Sequence, residues 1–84
     1  MDRESAETEN PDSFAMMVKW QIMVRDKAAL LAMPGAHHKA LLRQAHALYQ
    51  GNVINADRLS DLLELADAAL AYAVEALLEL ETDL

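Results

Sequence analysis

Three histidines, His37, His38 and His46, are the side chains of this sequence best suited to binding a metal ion. Two ligands on one helix share a face when they are three or four residues apart. Adjacent histidines instead point about 100° apart, and His46 comes eight residues after His38. We therefore predict no metal site and no cofactor, and we expect exposed polar histidines on the first turn and outer face of a helix.

Acid–base catalysis needs carboxylates or histidines that converge in a dry cleft. The acids of this chain instead spread along one long predicted helix. Ser5, Ser13 and Ser60 suit a tail, a first helical turn and a helix surface. Gly35 and Gly51 are too far apart to form a glycine-rich phosphate loop. We predict that the protein is not an enzyme and has no catalytic residues.

The last predicted helix carries an acidic face formed by Asp57, Asp61, Glu64, Glu75 and Glu79. A rod of carboxylates could mimic nucleic-acid phosphates and compete for a basic groove on a DNA-binding protein. The alternative is a solvated face that keeps an apolar-rich chain in solution, and the interruption at Ala68 and Ala71 favours it. The excess of acid argues against direct binding to nucleic acid or anionic lipid.

Asp67 lies at the edge of an apolar seam, beside Leu63 and Leu70. A charge at such an edge often pairs across a helix interface. The alternative is that its carboxylate reaches water unpaired. The candidate partners for an ion pair are Lys27, Arg25 and Arg43.

The hydrophobic pattern predicts an all-α fold of three helices in an antiparallel arrangement, with a C-terminal helical hairpin. The first, residues 11–33, ends at Pro34-Gly35. The second, 36–50, ends at Gly51, and the third, 56–81, starts with Asn55 as its N-cap. Trp20 and the methionines of the first helix favour core packing, with an adaptable binding groove as the alternative.

Composition places the chain among small intracellular proteins. It has 84 residues, no cysteine and a net charge of −7. The length allows one domain, which we assign to residues 11–84. Residues 1–10 are acidic and lack large apolar side chains after Met1, so we expect a disordered tail. No stretch approaches the roughly 20 apolar residues that span a bilayer, so we expect no membrane contact and a cytoplasmic location.

The first and third predicted helices each carry two apolar strips, more than a three-helix monomer can bury. We expect a homodimer, or a different protein with a basic or apolar groove, to cover the surplus. The predicted function is therefore that of a small acidic regulator or adaptor that acts by helix–helix binding, such as an anti-activator, a secretion chaperone or an inhibitor. The predicted interface residues are Phe14, Met17, Trp20, Val24, Leu31, Leu63, Leu70 and Leu77.

Overall fold

The computed structural model describes residues 11–83, which form four α-helices and no strand. The helices are α1 (Pro11–Val24), α2 (Lys27–Ala32), α3 (Pro34–Gln50) and α4 (Ala56–Asp83). The prediction of an all-helical fold is confirmed, and the prediction of three helices was wrong. The predicted tail, residues 1–10, lies outside the described residues.

The first predicted helix is interrupted between Val24 and Lys27, so residues 11–33 form two helices. The N–H of Asp26 donates to the carbonyl of Met23 at 3.2 Å, which tightens the end of α1. Asp26 then caps α2, because its Oδ1 accepts the N–H of Ala29 at 3.1 Å. A short acidic side chain is favourable at a helix N-cap, and here this preference outweighs helix continuation.

The sequence predicted that Pro34 and Gly35 separate two helices. In the structure both residues are helical. Met33 alone is non-helical between α2 and α3, with φ −147°, and Pro34 is the first residue of α3. Proline suits that position because the first helical N–H has no partner within the helix. The helix therefore begins two residues earlier than the predicted start at Ala36.

The connection between α3 and α4 agrees with the prediction. Gly51 is the C-cap of α3, and Asn52 follows it in the left-handed conformation, with φ 63°. The N–H of Val53 donates to the carbonyl of Leu48 at 2.9 Å, and the N–H of Asn52 donates to Tyr49, which is the Schellman pattern. The side chain of Asn55 then caps α4 by accepting the N–H of Arg58 at 2.8 Å.

The main hydrophobic core lies where α1, α3 and α4 meet. Its fully buried members are Trp20, Leu41, Ala45, Leu48, Leu62 and Ala66. Leu30 of α2 and Ala73 of α4 are also buried. The connection after α3 folds α4 back along it, and the contact between these two helices is the most extensive in the fold.

The buried line of α4 agrees only in part with the predicted apolar seam. Ala66 and Ala73 of the seam are buried, as is Leu62 of the second predicted strip, whereas Leu63 and Leu70 of the seam are half-buried. The seam describes packing against one neighbouring helix. In the structure α4 packs against α3 and also against α1 and α2. Its most buried line therefore lies between the two predicted apolar strips.

Two side-chain hydrogen bonds join the backbones of α1 and α3. The indole N–H of Trp20 on α1 donates to the carbonyl of Leu41 on α3 at 3.0 Å. In the opposite direction, Nε2 of His37 on α3 donates to the carbonyl of Met23 on α1 at 2.8 Å. Each helix thus places one donor on a carbonyl of the other.

Candidate functional site: an exposed apolar surface

The outward side of α1 carries three large apolar side chains at helical spacing. Phe14 is 72% exposed, Val18 39% and Ile22 65%. They are four residues apart, so they lie along one side of the helix. Trp20 on the opposite side is buried. We call Phe14, Val18 and Ile22 the α1 stripe.

A second apolar feature is a cavity of about 390 Å³ between α4 and the corner where α1 meets α2. We call it the α1–α4 groove. Two exposed side chains of α4, Leu65 and Tyr72, lie two turns apart along it, with Ala68 and Ala69 between them. Small residues at this position allow another helix to come close. The other apolar lining residues are Trp20, Val24 and Leu30.

Cations border the groove on the side of the α1–α2 corner. Arg25 and Lys27 belong to its lining, and both are exposed. The Nζ of Lys27 lies 5.3 Å from the ring centroid of Tyr72, within the range of a cation–π interaction. Glu64 and Asp61 are exposed on α4, one turn and two turns before Ala68. The groove therefore has cations in its lining, and carboxylates precede it along α4.

The predicted acidic residues are all exposed. They lie along α4, with the exposed Ala68 and Ala71 between the first three and the last two. The outer side of α3 has the opposite sign, since Lys39 and Arg43 are exposed there. The predicted members of the acidic face are Asp57, Asp61, Glu64, Glu75 and Glu79.

Two of the histidines differ from their predicted exposure. His37 is buried, and because a carbonyl oxygen only accepts, its Nε2 must carry the proton that it donates to Met23. His38 is half-buried, and only His46 is exposed as predicted. The burial follows from α1 ending at Val24, which brings the Met23 carbonyl against the first turn of α3. Among the described residues no group of three potential ligands could hold a metal ion.

Asp67 is paired, but none of the three predicted partners binds it. Its Oδ1 lies 2.9 Å from Nε2 of His38, which joins the first half of α3 to the middle of α4. The side chain of Asp67 is 72% exposed, so water screens this pair and its stabilising effect is small.

The predicted interface residues divide between the chain's own core and its surface. The structure places Trp20 inside the core, and Met17, Val24 and Leu63 pack half-buried against it. Leu31, Leu70 and Leu77 are half-buried, and Phe14 is the most exposed of the set.

Four exposed apolar residues of the stripe and the groove were not among the predicted interface residues. Val18 and Ile22 belong to the α1 stripe, and Leu65 and Tyr72 belong to the groove. The sequence signal for all four was the second apolar strip on each helix.

No protein-family model matches this chain, and no curated protein or solved structure matches it at a significant level. Within the described part of the chain, no helix combines the length and apolar character needed to cross a membrane.

Proposed function

We propose that this protein is a non-enzymatic regulator or adaptor that acts by helix–helix binding to other protein surfaces. The observation that supports this most is the α1 stripe. Phe14 and Ile22 keep most of their surface in water although α1 is anchored by its opposite side. Contiguous exposed apolar surface on a soluble protein marks an interaction site.

The proposed partners are a second copy of the chain and another protein with a basic or apolar groove, in the cytoplasm. Anti-activators, secretion chaperones and inhibitors are classes of protein that act in this way. The acidic face of α4 fits a partner with a basic border, and charge of this kind sets orientation and association rate more than affinity.

The test is the double substitution Phe14→Ser and Ile22→Ser, with Tyr49→Ser as a matched control at an exposed position of α3. Fully burying such a side chain contributes about 1.5–3 kcal/mol. The two stripe residues are more than half exposed, so covering them contributes about 2–4 kcal/mol. We expect the double variant to weaken self-association or partner capture at least 30-fold, and the control to change it little.

Sedimentation equilibrium and affinity capture from the native host are the two measurements. The proposal is contradicted if the wild type is monomeric at high micromolar concentration and captures no protein that the stripe variant loses. Circular dichroism of both variants must match the wild type, because the substituted side chains are exposed and contribute little to the core.

A second candidate function is inhibition by mimicry of nucleic-acid phosphates. The observation in its favour is that six carboxylates are exposed along α4 from Asp57 to Glu79, a span of about 33 Å at 1.5 Å per residue. A complex led by carboxylates weakens steeply as ionic strength rises, whereas an apolar helix interface changes little. Partner affinity at two salt concentrations therefore distinguishes the two functions.

A further inference from the structure

We propose that the α1 stripe and the α1–α4 groove are the two halves of one interface, and that the groove of each chain receives the α1 stripe of a second copy. The inference rests on the proposed function, since it specifies how the helix–helix binding occurs. It adds a defined surface and a defined occupant.

The apolar parts of the two halves are complementary in shape. The groove is concave and encloses a volume of about 390 Å³, and Ala68 and Ala69 lie between Leu65 and Tyr72 along it. The stripe is a convex row in which Phe14 and Ile22 project most. A helix that carries large side chains packs closely against a helix that presents small ones. Burying the stripe there removes the two most exposed large side chains of α1 from water.

The charges of α1 and α4 are also complementary, although Arg25 and Lys27 belong to the lining of the groove itself. Lys19 is exposed on the helix that carries the stripe, whereas Asp61, Glu64 and Glu75 are exposed on α4. The sequence segregates charge in the same way, with a net charge of +4 over residues 14–58 and −7 over residues 59–84. Docking α1 of one copy on α4 of the other brings opposite charges together and fixes the orientation.

These two matches favour a second copy over a foreign helix as the occupant. A foreign helix in the groove leaves the stripe of the same chain exposed. In a two-fold dimer each chain supplies both halves, so the interface forms twice and closes. Neither the α1 stripe nor the α1–α4 groove then remains exposed to water on either chain.

The first experiment fills the groove with a charged side chain. Ala68 is exposed in the single chain, so Ala68→Arg leaves the monomer folded and places a long cation where the stripe and its cations must dock. Ser60→Arg is the matched control, because it adds the same charge at an exposed position of α4 outside the groove. We expect Ala68→Arg to raise the dimer Kd at least tenfold, and Ser60→Arg to raise it less than threefold.

The second experiment maps the contact by disulfide trapping, which is direct because the chain has no cysteine. A Val18→Cys chain is mixed with an Ala68→Cys chain that carries a longer tag, and the mixture is oxidised. We expect the disulfide between a Val18→Cys chain and an Ala68→Cys chain to be the main product. It should exceed both the disulfide between two Val18→Cys chains and the disulfide between a Val18→Cys chain and a Ser60→Cys chain. Circular dichroism and thermal melting verify that each variant is folded.

The outcomes separate this inference from the proposed function. A dominant disulfide between two Val18→Cys chains, with no effect of Ala68→Arg on Kd, means that the stripe of one copy packs on the stripe of the other. That result overturns docking in the groove and leaves the proposed helix–helix binding intact. A monomer at 100 µM that still captures a host protein through the stripe overturns the second copy alone. A monomer that captures nothing overturns both.

Discussion

Replacing Trp20 by Phe tests whether this side chain belongs to the core or to an interface. Trp20 is 2% exposed, and its indole N–H donates to the Leu41 carbonyl at 3.0 Å. Phenylalanine removes that donor, which costs about 1 kcal/mol. It also leaves a cavity of roughly 40 Å³, which costs about 1 kcal/mol at roughly 24 cal/mol per Å³. We expect the free energy of unfolding to fall by about 2 kcal/mol.

The assay is urea unfolding followed by circular dichroism, at a fixed protein concentration because the chain is proposed to dimerise. In a domain of this size, 2 kcal/mol lowers Tm by about 10 °C. Trp20 is the only tryptophan, and in the wild type its emission should be blue-shifted and unchanged on dilution. An unchanged unfolding midpoint in Trp20→Phe, or emission that shifts red on dilution, would refute the placement of Trp20 in the monomer core.

Three further predictions concern the core, the break and the loop. Leu62→Ala should lower the free energy of unfolding by about 3 kcal/mol, whereas Leu65→Ala on the exposed side of the same helix should lower it by less than about 1 kcal/mol; equal losses in urea unfolding would contradict the assigned core. Asp26→Ala should cost about 1 kcal/mol because α2 loses its cap, and Asp26→Ser should restore most of it; equal melting curves for both variants would show that the cap contributes nothing. Asn52→Val should destabilise by about 1–2 kcal/mol, because a β-branched side chain resists a φ of 63°, while Asn52→Gly should be at least as stable as the wild type; the opposite order would exclude the left-handed turn.

The features that could be predicted from the sequence are those with local signals. Gly51 marks the end of α3 and Asn55 marks the start of α4. The capping hydrogen bond of each residue is made with a partner no more than four residues away. The break at Asp26 was missed because an aspartate among good helix formers is compatible with either a cap or a surface position. What decides between them lies far along the chain, in the docking of Trp20 and His37 between α1 and α3.

The candidate site was predictable only in outline. The apolar excess of the first predicted helix indicated an interface. Of the α1 stripe, Phe14 was among the predicted interface residues, and Val18 and Ile22 lay on the second predicted strip. Which of the two apolar strips of this helix stays exposed depends on the side against which α3 and α4 pack. Heptad spacing does not determine that side. The His38–Asp67 pair joins residues 29 positions apart, so no local pattern could have selected it over the three predicted cationic partners.

The reciprocal bonds between α1 and α3 have a consequence for recognition. Sliding or rotating α1 along α3 would break the Trp20 bond and the His37 bond together, and would leave two carbonyl acceptors without these donors. The outward side of α1 is therefore held in one orientation before any partner arrives. A pre-oriented surface loses less conformational entropy when it is occupied, so a modest apolar row can still give specific binding. Backbone amides of α1 should accordingly exchange as slowly as those of α3, although α1 lies at the edge of the fold.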